Sequence, residues 1–425
     1  MQTATVRPRH VAAVVAGNAL EFYDFVTYAF FAIYIGRAFF PSNNPSASLL
    51  SSLAAFGAGF ITRPIGSYVI GKMGDRRGRR PAMVLSFGMM GVAIIGIALV
   101  PSYAAIGIAA PTLAIFFRLL QGFALGGEVG PTTALLLEAA PVNRRGFYTS
   151  FQSNSQSFAT LAAGLVGFGL SNILTDQQLQ SFGWRIAFLL GALTVPFALI
   201  IRRSLPETLP AAETVKSADN TFRAHWLVAI LGIVLLANAT IGTYIRNYIT
   251  TYAIATLHMA SNIAFAATVV NGLAGILAGL WSGILSDRYG RKPVMLIPGI
   301  LLLAAIFPGF LAIAHHRSGF VLLTVTGILS ALSSLSIIPM ITWLTESFPP
   351  FLRSQGVAVT YALSIATFGG TTQYAVAWLI DVTGSPLAPA WYWTIAAIFG
   401  VIAIIATRES APQFGTSSEL RDSGK

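Results

Sequence analysis

The chain has 425 residues, 55% hydrophobic and only 10% charged, with mean hydropathy +0.71. Soluble domains carry about 25% charged residues, so a string of soluble domains is excluded, and apolar runs long enough to span a bilayer recur throughout. The absence of cysteine excludes disulfides, Fe–S clusters and thiol chemistry, and five histidines without a spaced His/Asp/Glu cluster argue against a catalytic metal. The net charge of +11 would fit a nucleic-acid binder, but the positions of the basic residues point elsewhere.

Twelve helical segments are predicted, at 11–36, 49–72, 82–101, 105–138, 147–174, 184–203, 225–254, 262–284, 294–314, 319–345, 355–381 and 389–407. The start, "MQTATVRPRH", is basic, but the run behind it is too long for a signal peptide and reads as an uncleaved first helix. With that end in the cytoplasm, only Arg37 and Arg317 of the 26 Lys and Arg fall in outer loops. Arg63, Arg118, Arg185 and Arg246 lie in spans or near their ends, and the remaining 20 are cytoplasmic. The basic charge is therefore topology. Anionic lipid is the expected partner of those loops, and nucleic acid is not.

The first segment carries Asn18, Glu21, Asp24 and Tyr28 in "GNALEFYDFVTY". An ionisable group at the bilayer centre costs about 2.5–3.5 kcal/mol, so it implies a partner or a wet cavity. At ~1.5 Å per residue, Glu21 lies about 15 Å and Asp24 about 20 Å from the start of the helix. The two acids share a side of the helix and resist ionising together, which suits a proton site. Depth favours Asp24, and the choice between them stays open. Asn18, Glu21, Phe25 and Tyr28 form a stripe that would line a path, and Asp24 and Tyr28 are an i, i+4 pair.

The second segment places Arg63 before Pro64, where a kink is expected, and leads into "GKMGDRRGRRP" with Asp75 and Arg79. The fourth segment enters from outside, which puts Arg118 about 20 Å deep as well. Its fixed charge and forked donors suit a carboxylate. The working reading is that Arg118 binds the anionic substrate, and that Asp24 or Glu21 neutralises it when the site is empty and takes up the coupled proton; the alternative is a structural pair locking the first and fourth helices. Glu128 lies about 15 Å nearer the cytoplasm than Arg118 and reads as gate or scaffold. Glu138, at a helix end, reads as interfacial and solvated.

The fifth segment carries Gln152, Ser153, Asn154 and Gln156, too polar for a lipid face and suited to substrate or interhelical hydrogen bonds. Arg185 opens the sixth segment and reads as an arginine reaching the outer interface. The polar stretch 204–224 divides the spans six and six. In the seventh segment, Arg246 sits among Tyr244, Tyr248 and Tyr252, with Asn247 and Thr251 adjacent. It reads either as a second carboxylate clamp or as an arginine reaching outer headgroups. "GILSDRYGRKP", with Asp287 and Arg291, follows the eighth segment and repeats the pattern after the second. Its glycines suit a tight turn, and its aspartate suits either a helix N-terminus or an arginine. Glu346 echoes Glu138 after the tenth segment and reads as solvated. In the eleventh, "TFGGTTQY", the paired glycines permit a bend and Thr371, Thr372 and Gln373 are candidate ligands. The end, 409–425, is polar and is expected to be disordered.

The shared pattern G-x-x-x-D-R-x-G-R-[RK]-P implies a duplicated six-helix unit around a central path. Twelve helices with this motif after the second and eighth resemble the major facilitator superfamily across residues 10–408. More narrowly, "GNALEFYDFVTYAFFAIYIGRAFFP", "FGAGFITRPIGSYVIGKMGDRRGRR", "RLLQGFALGGEVG", "RRGFYTSFQSNSQ", "GWRIAFLLG" and "RRSLPET" resemble the metabolite:proton symporter family, nearest its citrate and tricarboxylate members. The resemblance implies an all-α fold of two pseudo-symmetric six-helix bundles, residues 1–203 and 225–408, joined by a cytoplasmic linker. It implies a monomeric inner-membrane symporter importing a di- or tricarboxylate by alternating access, with H+ as coupling ion, no cofactor and no enzymatic activity. Both termini would be cytoplasmic. It also implies a gating or structural role for Arg63 and gates at Asp75, Arg79, Asp287 and Arg291. Arg246 departs from the resemblance, since tricarboxylate-like relatives tend to be uncharged there. Competing readings are a symporter of 2-oxoglutarate, shikimate, or proline and betaine, a drug-efflux antiporter, and a membrane sensor.

Overall fold

The computed structural model describes residues 8–77, 79–127, 136–137, 140–193, 196, 226–349 and 353–412. The linker 204–224 and almost all of the 409–425 tail lie outside them, as do Glu128, Glu138 and the side chains of Glu21, Asp75 and Arg79.

Among the described residues, twelve longer helical stretches follow one another. They are α1 (Pro8–Phe30, continued by Ala32–Phe39), α2 (Pro45–Ile61, continued by Arg63–Arg77), α3 (Arg79–Leu99), α4 (Ala109–Ala124), α5 (Arg145–Ile173) and α6 (Trp184–Ala192) in the first half. The second half holds α7 (Trp226–Ala255), α8 (Ser261–Tyr289), α9 (Arg291–His316), α10 (Gly319–Ser347), α11 (Arg353–Ser364, continued by Gly370–Thr383) and α12 (Ala388–Ala406). No strand occurs among the described residues. By length and composition, six described helices can each cross a membrane alone: α2, α7, α8, α9, α10 and α12.

Between lipid-exposed helices the hydrophobic effect gives no net pull, so close backbone packing must supply the contact. Glycines do this between α2 and α4. A Cβ on Gly122 would collide with the Gly59 carbonyl, and one on Gly126 with the Arg63 carbonyl. Gly122→Ala should therefore lower the thermal midpoint of the purified protein, at a cost of about 1–3 kcal/mol or more for overpacking. Gly71→Ala, which meets open space, should leave the midpoint level or raise it. Gly71 opens the first repeated motif, yet it lies inside α2 and makes no turn. In the second copy Gly290 does make the turn, with φ +96 between α8 and α9.

Between the halves, among the described residues, α5 packs most heavily on α8 and α2 packs on α11, with α1 on α7 and α10 on α5 beside them. Adding six to α2 gives α8 and taking six from α11 gives α5, as a duplicated unit requires. The paired glycines of α11 serve the crossing with α2: a Cβ on Gly370 would lie 3.0 Å from the Gly57 carbonyl oxygen. A stretch of wider helical turn, Ile365–Gly369, ends on the first glycine of the pair.

The first span departs from a straight 11–36 helix. It bends by 66° at Phe31, with neither proline nor glycine there. One turn earlier the Thr27 hydroxyl donates to the Tyr23 carbonyl at 2.6 Å, a back-bond that bends helices. In α2 the break falls at Thr62, just before Arg63 and Pro64.

Candidate functional site

A central cavity of ≈ 100 Å³ lies between the halves, walled by α1, α5, α7, α8, α10 and α11. Of the residues singled out from sequence, Ser153, Asn154, Gln156, Tyr244, Arg246 and Asn247 line it, together with Phe25. Arg246 is the charged side chain in its wall among the described residues. Its guanidinium is held entirely by neutral groups. Nε donates to the Gly242 carbonyl at 3.3 Å, Nη1 to Asn271 Oδ1 at 3.2 Å and Nη2 to Thr243 Oγ1 at 3.2 Å. Gln156 Nε2 donates to the Tyr361 hydroxyl at 3.4 Å, joining α5 to α11 across the cavity. Asn154 Oδ1 is buried without a hydrogen-bond partner. A fixed cation with no acid beside it among the described residues, facing amides and hydroxyls, is suited to an anion.

Asp24 and Arg118 lie beside this cavity but do not line it. Each is 1% exposed. Neither Asp24 oxygen has a hydrogen-bond partner. Among the described residues no ion pair joins Asp24 to Arg118. Its guanidinium carbon stacks 4.4 Å from the Tyr28 ring centre, 4.9 Å from Phe56 and 5.5 Å from Phe25. Nη1 bonds Gln121 Oε1, and Nη2 donates to the Phe56 carbonyl at 3.4 Å. The depth match read from sequence therefore brings the two charges near without joining them. Phe25 is shared: one ring forms cavity wall and also lies under Arg118 and, at 4.9 Å, under Arg63. Arg63 also stacks on Phe60 at 4.3 Å.

At the end of the molecule bearing the repeated loops, α8 closes on α5. Asp287 accepts from the Gly146 N–H at 2.7 Å and the Phe147 N–H at 2.8 Å, the first free donors of α5. Arg291, fully buried, donates to Asp287 at 2.8 Å and to both oxygens of Glu346 at 3.1 Å. A Cβ on Gly146 would sit 2.7 Å from Arg291 Nη1, which explains the glycine there. Glu346 is not solvated as expected: its side chain is 3% exposed and also accepts from Ser410 Oγ at 2.8 Å. The chain just after α12 is likewise ordered. Glu409 accepts from the Arg291 and Lys292 N–H groups at 2.7 and 2.9 Å and so caps α9. At the opposite end, Tyr34 bonds Ser261 at 3.0 Å and Thr251 donates to the Ala29 carbonyl at 3.3 Å. Contacts between the halves thus exist on both sides of the cavity.

Residues 10–224 match the family described as sugar (and other) transporter. The chain is 37% identical over 399 residues to the citrate–proton symporter of Klebsiella pneumoniae, covering 92% of this chain and 90% of that one. It is 34% identical over 411 residues to the alpha-ketoglutarate permease of Escherichia coli (strain K12), covering 93% of each. This chain belongs to the sugar (and other) transporter family of the major facilitator superfamily. A crystal structure of a D-xylose–proton symporter superposes with TM-score 0.75 at 19% identity, over 93% of this chain and 96% of the other, and shows the same fold. As a major facilitator transporter, the chain is a multi-pass membrane protein of two six-helix halves.

The transporter does not gather every residue singled out from its sequence. Asn18 turns to α5, donating to Ser155 Oγ at 2.5 Å. Tyr28 donates to the Ser52 carbonyl at 3.3 Å and not to Asp24. Gln152 is buried outside the cavity, and both ends of its amide lack partners. Tyr248 is 2% exposed in the core of the second half. Thr372 bonds its own helix at the Phe368 carbonyl, and Gln373 Nε2 donates to the Tyr244 carbonyl at 3.3 Å. Arg185 does not merely reach an interface: Nη1 donates to the Ala98 and Val100 carbonyls at 2.8 and 2.7 Å, capping the end of α3. Sequence reasoning missed Asn271, Tyr361 and Ser334, all in the cavity wall. Asn271 had a usable signal, since it is a lone amide in the apolar run "AFAATVVNGLAGIL".

Proposed function

We propose that this transporter is a proton-coupled symporter of the bacterial inner membrane that imports a small organic anion of the citrate type by alternating access. The observation that carries the anion is Arg246, a cation in the cavity wall with only neutral partners. The similarity to citrate–proton symporters over most of the chain supports the citrate class and the coupling to protons. Arg246 takes one carboxylate, and Asn154, Gln156, Tyr244 and Tyr361 face the remainder of the substrate. Asp24 takes up the coupled proton, with Glu21 the other candidate, and Arg118 balances the charge on Asp24. Gln152, Asn18, Tyr28, Tyr248, Thr372 and Gln373 support the site from behind.

The two ends of the path open in turn. Asp287 and Arg291 close the cytoplasmic end, Asp75 and Arg79 do so in the repeated loop, and Arg63 and Glu128 assist. Both termini lie in the cytoplasm, and the transporter works as a monomer without cofactor or catalysis. A dicarboxylate such as 2-oxoglutarate is the second reading, favoured by the 34% identity to alpha-ketoglutarate permease.

Proteoliposomes test this. Labelled citrate and 2-oxoglutarate should accumulate only under an inward pH gradient. Arg246→Ala should raise KM for either acid by about 10- to 150-fold, the loss of a charge-assisted contact worth ~1.5–3 kcal/mol. Uptake by the wild type that ignores the gradient would remove the coupling.

A further inference from the structure

We propose that Asn271 sets the charge preference of the cavity, holding Arg246 in place with a neutral acceptor so that its charge stays available to substrate. The inference rests on Arg246 being the substrate-binding cation. Asn271 is 4% exposed, midway along α8. Its Oδ1 accepts twice, from Ser330 Oγ at 2.6 Å and from Arg246 Nη1 at 3.2 Å. Its Nδ2 donates to Asn247 Oδ1 at 3.4 Å. Ser330 on α10 and Asn247 on α7 therefore fix which way the amide points, and the amide oxygen faces the guanidinium.

The chemistry at this position is a choice between two side chains of nearly one shape. Aspartate would keep both acceptor contacts of Oδ1. It would lose the donor to Asn247 and place a carboxylate about 3 Å from the guanidinium, a standing ion pair that cancels the charge offered to the cavity. The amide orients the cation and leaves it uncancelled. Asn271 is thus a positioning residue, acting through Arg246. A site with the amide prefers a carboxylate-bearing anion, and a site with the acid in its place would suit a zwitterion, whose cationic group it can meet.

The test is binding and uptake by the purified, reconstituted full chain, with citrate, 2-oxoglutarate and glycine betaine as probes. Asn271→Asp should weaken both acids by about ten-fold or more and shift the ratio of betaine to acid binding upward. Asn271→Ala and Ser330→Ala, which loosen Arg246 without changing charge, should raise KM for the acids a few-fold while kcat holds. Arg246→Ala separates the two levels of the argument. If Arg246→Ala loses acid binding while Asn271→Asp binds like wild type, the role of Asn271 is overturned and Arg246 stands. Should Arg246→Ala bind both acids normally, the anion site itself is misplaced and this inference falls with it. If Asn271→Asp does not fold, an unchanged KM in both Asn271→Ala and Ser330→Ala overturns the role of Asn271.

Discussion

Asp24→Asn is expected to abolish uptake driven by a pH gradient while leaving exchange of internal for external substrate in place. A carboxylate buried without donors is expensive in its charged form, and an intramembrane acid persists where it has work to do. Asp24 is 1% exposed and neither oxygen is engaged. A proton arriving there therefore breaks no hydrogen bond, and its arrival changes the field at Arg118 directly. Asparagine keeps the shape and removes the titration. Gradient-driven accumulation should fall by about 100-fold or more, the scale of losing one essential proton-transfer group. Exchange needs no net proton movement and should stay within a few-fold of wild type. Retained accumulation in the variant would move the proton site to Glu21, and Glu21→Gln is then the next measurement.

Much of this architecture was legible in the sequence, because membrane insertion leaves so direct a record. Apolar runs mark the helices, and the repeated aspartate–arginine motif marks the duplication. The choice of Arg246 as a clamp was open between substrate and headgroups. Its placement in the cavity wall favours the first, because the side chain points between the halves and finds only neutral partners. Depth along a helix proved a weaker guide than facing. The Arg118 guanidinium stacks on the rings of Tyr28, Phe56 and Phe25, and neither Asp24 oxygen takes a hydrogen bond from it. Sequence spacing cannot show such stacking, which depends on rings from two other helices. The bend at Phe31 was hidden for a similar reason: a threonine back-bond leaves no proline or glycine to read. Glu346 looked solvated because it lies at a helix end, but its partner Arg291 is 55 residues away in sequence.

The second large effect is expected at that partner. Arg291→Ala leaves two carboxylates, Asp287 and Glu346, facing one another without their shared cation. Breaking a buried pair by removing one partner typically costs about 3–5 kcal/mol, and here the Glu346 carboxylate loses its arginine. Here the loss does not fall on one helix. Asp287 also holds the N-terminus of α5, so repulsion from Glu346 is transmitted to the seam between the halves. The native chain has no cysteine, so Thr149→Cys supplies a single reporter. Thr149 is 1% exposed and bonds Thr342 of the other half at 2.5 Å. In the Arg291→Ala background a thiol reagent should label that cysteine at least about ten-fold faster, since each ~1.4 kcal/mol taken from the closed state multiplies the open population by ten. Arg291→Lys keeps a charge but loses the fork and should fall between. A folded Arg291→Ala protein whose reporter stays unlabelled would mean that glycine-backed packing of α5 on α8 closes this end by itself, with Asp287 serving only to cap α5.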